Sequence, residues 1–256
     1  MIKRFALLLL CFILFPNQVF AEGPLRLPIL PSPERYGSVL MEVQKEKKIS
    51  SVVFSHWIHR VKHTCRVCHY ELGFSMKAND TPIICNNGKM NGEYCARCHD
   101  GKVSFGPKDE LGADNCERCH NTNASSKWEE FQKLQAKLPK NKFGNQIDWT
   151  KALDEGLIEP KDSLSGNKQK LVNINKNLTL SAEMNGISPA IFPHKTHEKW
   201  LDCSSCHPEL FNIKKKSTES LRMANMIQGR SCGVCHLRVA FPLDDCKKCH
   251  PAMRLF

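Results

Sequence analysis

The chain has 256 residues, 14 of them Cys and 11 His, and a formal net charge of +11. Beyond the N-terminal run no stretch is long and apolar enough to cross a bilayer, which excludes a multi-span membrane protein. The basic charge invites a nucleic-acid partner, a reading that the motifs below exclude.

In chain order, residues 1–21 read as a secretory signal peptide. Lys3 and Arg4 form its charged start, Phe5 to Phe15 its apolar run, and Val19-Phe20-Ala21 a cleavage site before Glu22. The run is too short to span a bilayer comfortably, so no membrane span is expected once it is removed. The destination is periplasmic, outer-surface or extracellular. Cys11 sits in this leader, but Leu9 and Leu10 stand where a lipidation site would have small residues. Residues 22–37 carry Pro24, Pro28, Pro31 and Pro33 and predict an extended arm.

Residues 38–123 form a first module. Val39–Val43 and Val52–Phe54 predict a β-hairpin around the charged stretch Gln44–Lys48. Phe54-Ser-His56-x-x-His59 follows, then Cys65-Arg-Val-Cys68-His69, Cys95-Ala-Arg-Cys98-His99 and Cys116-Glu-Arg-Cys119-His120. Residues 124–176 contain no Cys or His. Trp128–Leu138 has helical apolar spacing and stops before Pro139, and Trp149–Leu157 reads as a second short helix. This apolar content predicts an ordered connector docked on a module.

Residues 177–256 repeat the first module. Leu178–Leu180 and Ala190–Phe192 flank Met184-Asn-Gly186, a good hairpin turn. Phe192-Pro-His194-x-x-His197 follows, then Cys203-Ser-Ser-Cys206-His207, Cys232-Gly-Val-Cys235-His236 and Cys246-Lys-Lys-Cys249-His250. His56 and His194 each lie nine residues before the first cysteine of their copy, and His59 and His197 six before.

Cys-x-x-Cys-His is the attachment signature of c-type haem. Each thiol forms a thioether to one haem vinyl, and the following His lies under the iron as proximal ligand. Chance would give roughly 0.03 such motifs in a chain of this composition, so six are decisive. The implied cofactors are six covalently bound haem c groups. Zinc is the alternative for paired Cys-x-x-Cys units, but zinc ribbons do not require a His after every second Cys. Cys85 stands outside the motifs and reads as an inert buried thiol rather than a ligand or intermolecular bridge.

Six haems in so short a chain must supply much of the apolar volume, so the haem-free chain should fold poorly. Loss of Lys3 and Arg4 with the leader takes the net charge to +9. Haem propionates and ferric centres would then bring it to about +3. The Lys and Arg excess therefore balances propionates rather than nucleic acid. Lys214, Lys215 and Lys216 read as a solvated loop.

With six His assigned as proximal ligands, five remain: His56, His59, His63, His194 and His197. Identical offsets in both copies mark four of them as distal ligands. Positions i and i+3 lie on neighbouring faces of a helical turn, so each pair can serve two haems. His63 has no counterpart, Leu201 occupying its place, and is expected to be exposed.

These features resemble the class III cytochromes c, in particular the tri-haem cytochrome c7 group. The likeness covers about residues 38–120 and 177–250. It implies two tandem c7-like modules, mostly irregular, with short α-helices and one small hairpin each. It also implies the pairings His56 with His69, His59 with His99, His194 with His207 and His197 with His236. That family places a third distal His where this chain has Asn91 and Gln228. The haems on His120 and His250 therefore lack an obvious partner, and Met90, Met223 and Met226 are the nearby sulfur candidates.

The implied function is non-enzymatic: an exported cytochrome carrying electrons along low-potential, mainly bis-His haems. Its partners would be redox proteins, including other multihaem cytochromes. The duplicated form resembles multihaem proteins of metal-reducing bacteria, which implies anaerobic or metal-reducing respiration. Two alternatives stay open: a multihaem reductase with an open third haem, and a self-assembling subunit of an extracellular haem filament.

Overall fold

Short runs of β-branched and aromatic residues next to the paired histidines set the first elements. Strand β1 (Ser38–Met41) pairs antiparallel with β2 (Val52–Ser55), and Ser38 lies opposite Ser55. The computed structural model describes residues 26–254 apart from 43–48, 84, 87–88, 124–126, 167–171, 173, 183–185 and 212–220. The proposed leader with Cys11, the Gln44–Lys48 stretch, the Met184-Asn185 turn pair and Lys214–Lys216 lie outside the described residues.

Helix α1 (His56–Arg60) continues directly from β2, so the hairpin aims the first turn that carries His56 and His59. A second hairpin, β3 (Cys85–Asn86) with β4 (Lys89–Met90), was not among the sequence expectations. Its signal is nonetheless present, since Asn87-Gly88 is a strong two-residue hairpin sequence. The thiol of Cys85 lies outside the described atoms. In the second copy β5 (Asn177–Leu180) pairs with β6 (Ala190–Pro193), and the helix bearing His194 and His197 starts at once.

The attachment motifs sit on single turns of varied pitch. Cys116–Cys119 is α2, while Tyr94–Arg97 and Cys203–Ser205 are tighter 3₁₀ turns and Val67–Glu71 is a wider π-type turn. The feature that recurs is one backbone bond from the proximal His to the first cysteine. His99, His120, His207, His236 and His250 donate their N–H to the carbonyl of Cys95, Cys116, Cys203, Cys232 and Cys246, at 2.7–3.0 Å. That bond closes one helical turn and sets the imidazole beside its two cysteines.

Between the modules, α3 (Trp128–Lys137) ends before Pro139, and α4 (Trp149–Asp154) is shorter than expected. The Asp148 carboxylate caps α4 by accepting from the Lys151 N–H at 3.0 Å. Gly156, at φ +68°, stops it with a Schellman arrangement. Gly156 N–H donates to Leu153 and Leu157 N–H to Ala152.

The main side-chain core is here. Phe131, Leu138, Ile147, Trp149, Ala152 and Ile158 bury one another around Trp57, and Trp200 packs against them from the second copy. Phe131 is 0% exposed and meets Trp57 edge-on at 5.3 Å. The expectation that 124–176 docks on a module thus understates what is seen. The segment packs on Trp57 and Trp200 together, and the two copies also touch directly. Tyr36, at the end of the Pro-rich arm, is 2% exposed and donates its hydroxyl to Ala240 O at 2.7 Å. Among the described residues no helix is long and apolar enough to cross a membrane.

Candidate haem centres

Ten of the eleven histidines share one feature: Nδ1 is bonded to a backbone carbonyl. For the four distal candidates the acceptors are Gly37 (His56, 2.8 Å), Ser55 (His59, 3.2 Å), Lys176 (His194, 3.0 Å) and Pro193 (His197, 2.9 Å). For the proximal ones they are Phe74 (His69), Phe105 (His99), Ser50 (His120), Phe211 (His207), Phe241 (His236) and Ser188 (His250), at 2.6–3.0 Å. A carbonyl fixes the proton on Nδ1 and leaves Nε2 bare, which is how metal-binding imidazoles are held. Burial pushes His56 down to about 3 and His59 and His236 to about 4. It also lowers His69 and His197. These rings are neutral at ordinary pH, the form that binds iron.

Three predicted pairs come together. Ring centroids of His56 and His69 are 6.4 Å apart, of His59 and His99 6.3 Å, and of His197 and His236 6.2 Å. With a metal–nitrogen bond of about 2 Å and the ring centre about 1.1 Å behind its nitrogen, two imidazoles holding one iron from opposite sides would have centroids roughly 6.2 Å apart. Phe54 lies edge-on to His56 at 4.8 Å and stacked on His59 at 4.5 Å. Phe192 repeats this against His194 at 4.8 Å and His197 at 4.4 Å. The fourth pair is not closed: His194 and His207 make no ring contact, although each has its Nδ1 anchored. The distal half of that site copies the first module, while the Cys203–His207 loop turns differently.

His120 and His250 likewise face no second imidazole among the described residues. Asn91 is spent in its own loop, bonded to Glu93, and Gln228 is exposed. Met223 and Met226 line the same cavity as His250. The Met90 side chain lies outside the described atoms. His63 corrects an expectation. It is half-buried rather than exposed, because the 161 region bridges to it, and its Nδ1 is buried without a partner.

One continuous cavity of about 3120 Å³ runs past the attachment motifs of both copies. An ordinary ligand cleft holds about 300–1,000 Å³, so this space suits several large groups. Burial pushes the Cys68 and Cys235 thiols up to about 12 and those of Cys95, Cys206 and Cys249 to about 11. Among the described residues no three His, Cys, Asp or Glu side chains converge as a zinc site would need. The residues fit haem. Cys65, Cys68, Cys95, Cys98, Cys116, Cys119, Cys203, Cys206, Cys232, Cys235, Cys246 and Cys249 would hold it, with the His after each pair beneath the iron.

Two residues escaped sequence reasoning. Arg60 follows His59, donates to Val239 O at 2.7 Å and lies over the Trp149 ring at 5.2 Å. Arg66, between Cys65 and Val67, is 3% exposed, and its Nε and Nη1 are buried without partners. A signal existed. At the same offsets the second copy has Glu198 and Ser204, so these are positions where the repeat departs from itself.

The family profile described as cytochrome c7 and related cytochrome c matches residues 52–121 and 190–251. No curated protein matches the chain. Among solved structures, the C-terminal hexahaem fragment of GSU1996 is 24% identical with a TM-score of 0.26, covering 87% of this chain and 99% of that one. The N-terminal hexahaem fragment of GSU1996 is 25% identical with a TM-score of 0.25, covering 85% and 99%. The dodecahaem cytochrome c GSU1996 is 24% identical with a TM-score of 0.29, covering 85% and 75%.

Proposed function

The chain belongs to the cytochrome c7 and related cytochrome c family, and from that premise we propose that this multihaem c-type cytochrome is an exported hexahaem electron carrier. The observation that carries the reading is the set of three imidazole pairs held 6.2–6.4 Å apart, each ring locked through Nδ1. When bound, haem supplies a reversible one-electron iron couple. The chain's own residues do the rest. Twelve cysteines would fix the rings, the six proximal His would hold the irons from one side, and His56, His59, His194 and His197 would hold four of them from the other. Two imidazoles leave no open position and keep the potential low compared with His/Met ligation. The partners are redox proteins, including other multihaem cytochromes, in anaerobic or metal-reducing respiration outside the cytoplasm.

Mass spectrometry of the mature holoprotein, made with haem-maturation machinery, tests this. The expected product is a chain from about Glu22 carrying six haems, reducible and reoxidisable without loss of its low-spin spectrum. Fewer than five haems at full maturation would overturn it. The reductase alternative draws on His120 and His250, which face no imidazole among the described residues. Carbon monoxide or nitrite binding to two of the reduced haems favours that reading. A sulfur-to-iron band instead favours ligation by Met at these sites.

A further inference from the structure

We infer that the two haem triads adjoin at the Cys65–His69 and Cys232–His236 sites, and that Arg60 is the positioning residue of this junction. The inference rests on the haem assignment above and adds which sites meet across the copies. In sequence the neighbours would be the His120 site, last of the first module, and the Cys203 site, first of the second. The folded chain joins others.

Two arginines bracket Cys65, and each ends on one half of the His197–His236 pair. Arg60 Nη2 donates to Val239 O at 2.7 Å, three residues after His236. Arg66 Nη2 donates to Glu198 O at 2.9 Å and Leu201 O at 2.8 Å, and its backbone N–H donates to Trp200 O at 3.0 Å. Glu198 directly follows His197. Tyr36 adds a third tie, since its hydroxyl reaches Ala240 O and its ring lies against Gly144, which also adjoins Pro242. The Cys65 and Cys235 thiols lie within electrostatic reach of each other and of the Arg60 guanidinium.

Among the described residues neither arginine has a carboxylate partner. Arg66 is buried and Arg60 half-buried, and a cation drawn out of water without an anion is costly. Arg60 lines the cavity itself, where the propionates of a bound haem would supply the missing charge. A positive charge held near the His56 and His236 sites would favour the reduced state of iron bound there.

Two measurements on the holoprotein test the junction. In the fully reduced, diamagnetic state, nuclear Overhauser contacts should link substituents of the haem on Cys65 and Cys68 with those of the haem on Cys232 and Cys235. Contacts across the modules that leave out this pair, whether between the Cys116/Cys119 and Cys203/Cys206 haems or between the Cys65/Cys68 and Cys203/Cys206 haems, overturn the inference, whatever the variants do. Arg60→Leu should lower the reduction equilibrium of the haems on His69 and His236 about tenfold each, 59 mV for a one-electron couple, and leave the haem on His120 unmoved. Arg60→Lys should recover most of the shift. A shift confined to one module, or spread evenly over six haems, also overturns it. The two readings fail separately. Haem missing from Cys65 or Cys235 by mass sinks the carrier assignment with it, whereas six haems with other neighbours sink the junction alone.

Discussion

Phe131→Ala is the sharpest probe of where this molecule keeps its side-chain core. Phe131 belongs to the haem-free segment and is 0% exposed. It packs edge-on against Trp57 at 5.3 Å and stacks with Trp128 at 5.9 Å. Truncating a buried Phe to Ala costs about 3–5 kcal/mol, through lost transfer energy and the cavity left behind. The two aromatic contacts, each worth about 0.5–1.5 kcal/mol beyond area, put the site toward the upper end. With a urea m-value of about 2 kcal/mol/M, the midpoint should fall by roughly 2 M. The assay is urea unfolding of the holoprotein read by tryptophan emission, because nearby haems quench Trp57, Trp149 and Trp200 in the folded state. Haem content by mass and the six potentials should not change. A midpoint shift below about 0.5 M would refute the reasoning, and would mean that the haems rather than Phe131 and its neighbours hold the copies together.

His197→Met should raise the potential of the haem on His236, because thioether sulfur favours ferrous iron more than imidazole does, while mass spectrometry still finds six haems; an unchanged titration and low-spin spectrum refutes the pairing. Gly233→Ala should destabilise the second copy by about 1–3 kcal/mol, since an added methyl would fall on the Met226 carbonyl; an unchanged urea midpoint contradicts that close approach. Acid should weaken the fold. The folded-state values of His56, His59 and His236 lie near 3 to 4 against 6.5 for a free ring, so the unfolded chain takes up protons first, and iron ligation acts in the same direction. Their contribution is whole above about pH 6.5 and is lost as pH falls through the 6.5-to-3 window; urea midpoints equal at pH 7 and pH 4 would exclude it.

Local chemistry was legible in the sequence because it is local. The Cys-x-x-Cys-His turns need one backbone bond across four residues. The distal pairs need one turn of helix after a strand. Pro139 stops α3 by lacking an N–H. The parts that were not legible depend on contacts far apart in the chain. Arg60 meets Val239 across 179 residues and Tyr36 meets Ala240 across 204. His63 is covered because the 161 region bridges to it, which no spacing rule near Cys65 could reveal. The Asn87-Gly88 pair is a local hairpin signal of the same kind.

A duplicated chain carries a further kind of information in the places where its copies disagree. Positions around the distal histidines match between the copies, while the Cys203–His207 loop departs from its counterpart. Phe54 and Phe192 stand against their histidines at the same angles, 88° and 28°. Ser50 and Ser188, at equal offsets, receive the Nδ1 bonds of His120 and His250. Positions that join the copies cannot match, because a head-to-tail contact needs two different surfaces. Trp57 faces the connector core where its counterpart is Lys195, and Arg60 and Arg66 reach the second copy where their counterparts are Glu198 and Ser204. The same comparison separates the two kinds of variant. Changes at matched positions should alter individual haems, and changes at mismatched positions should alter how the triads meet.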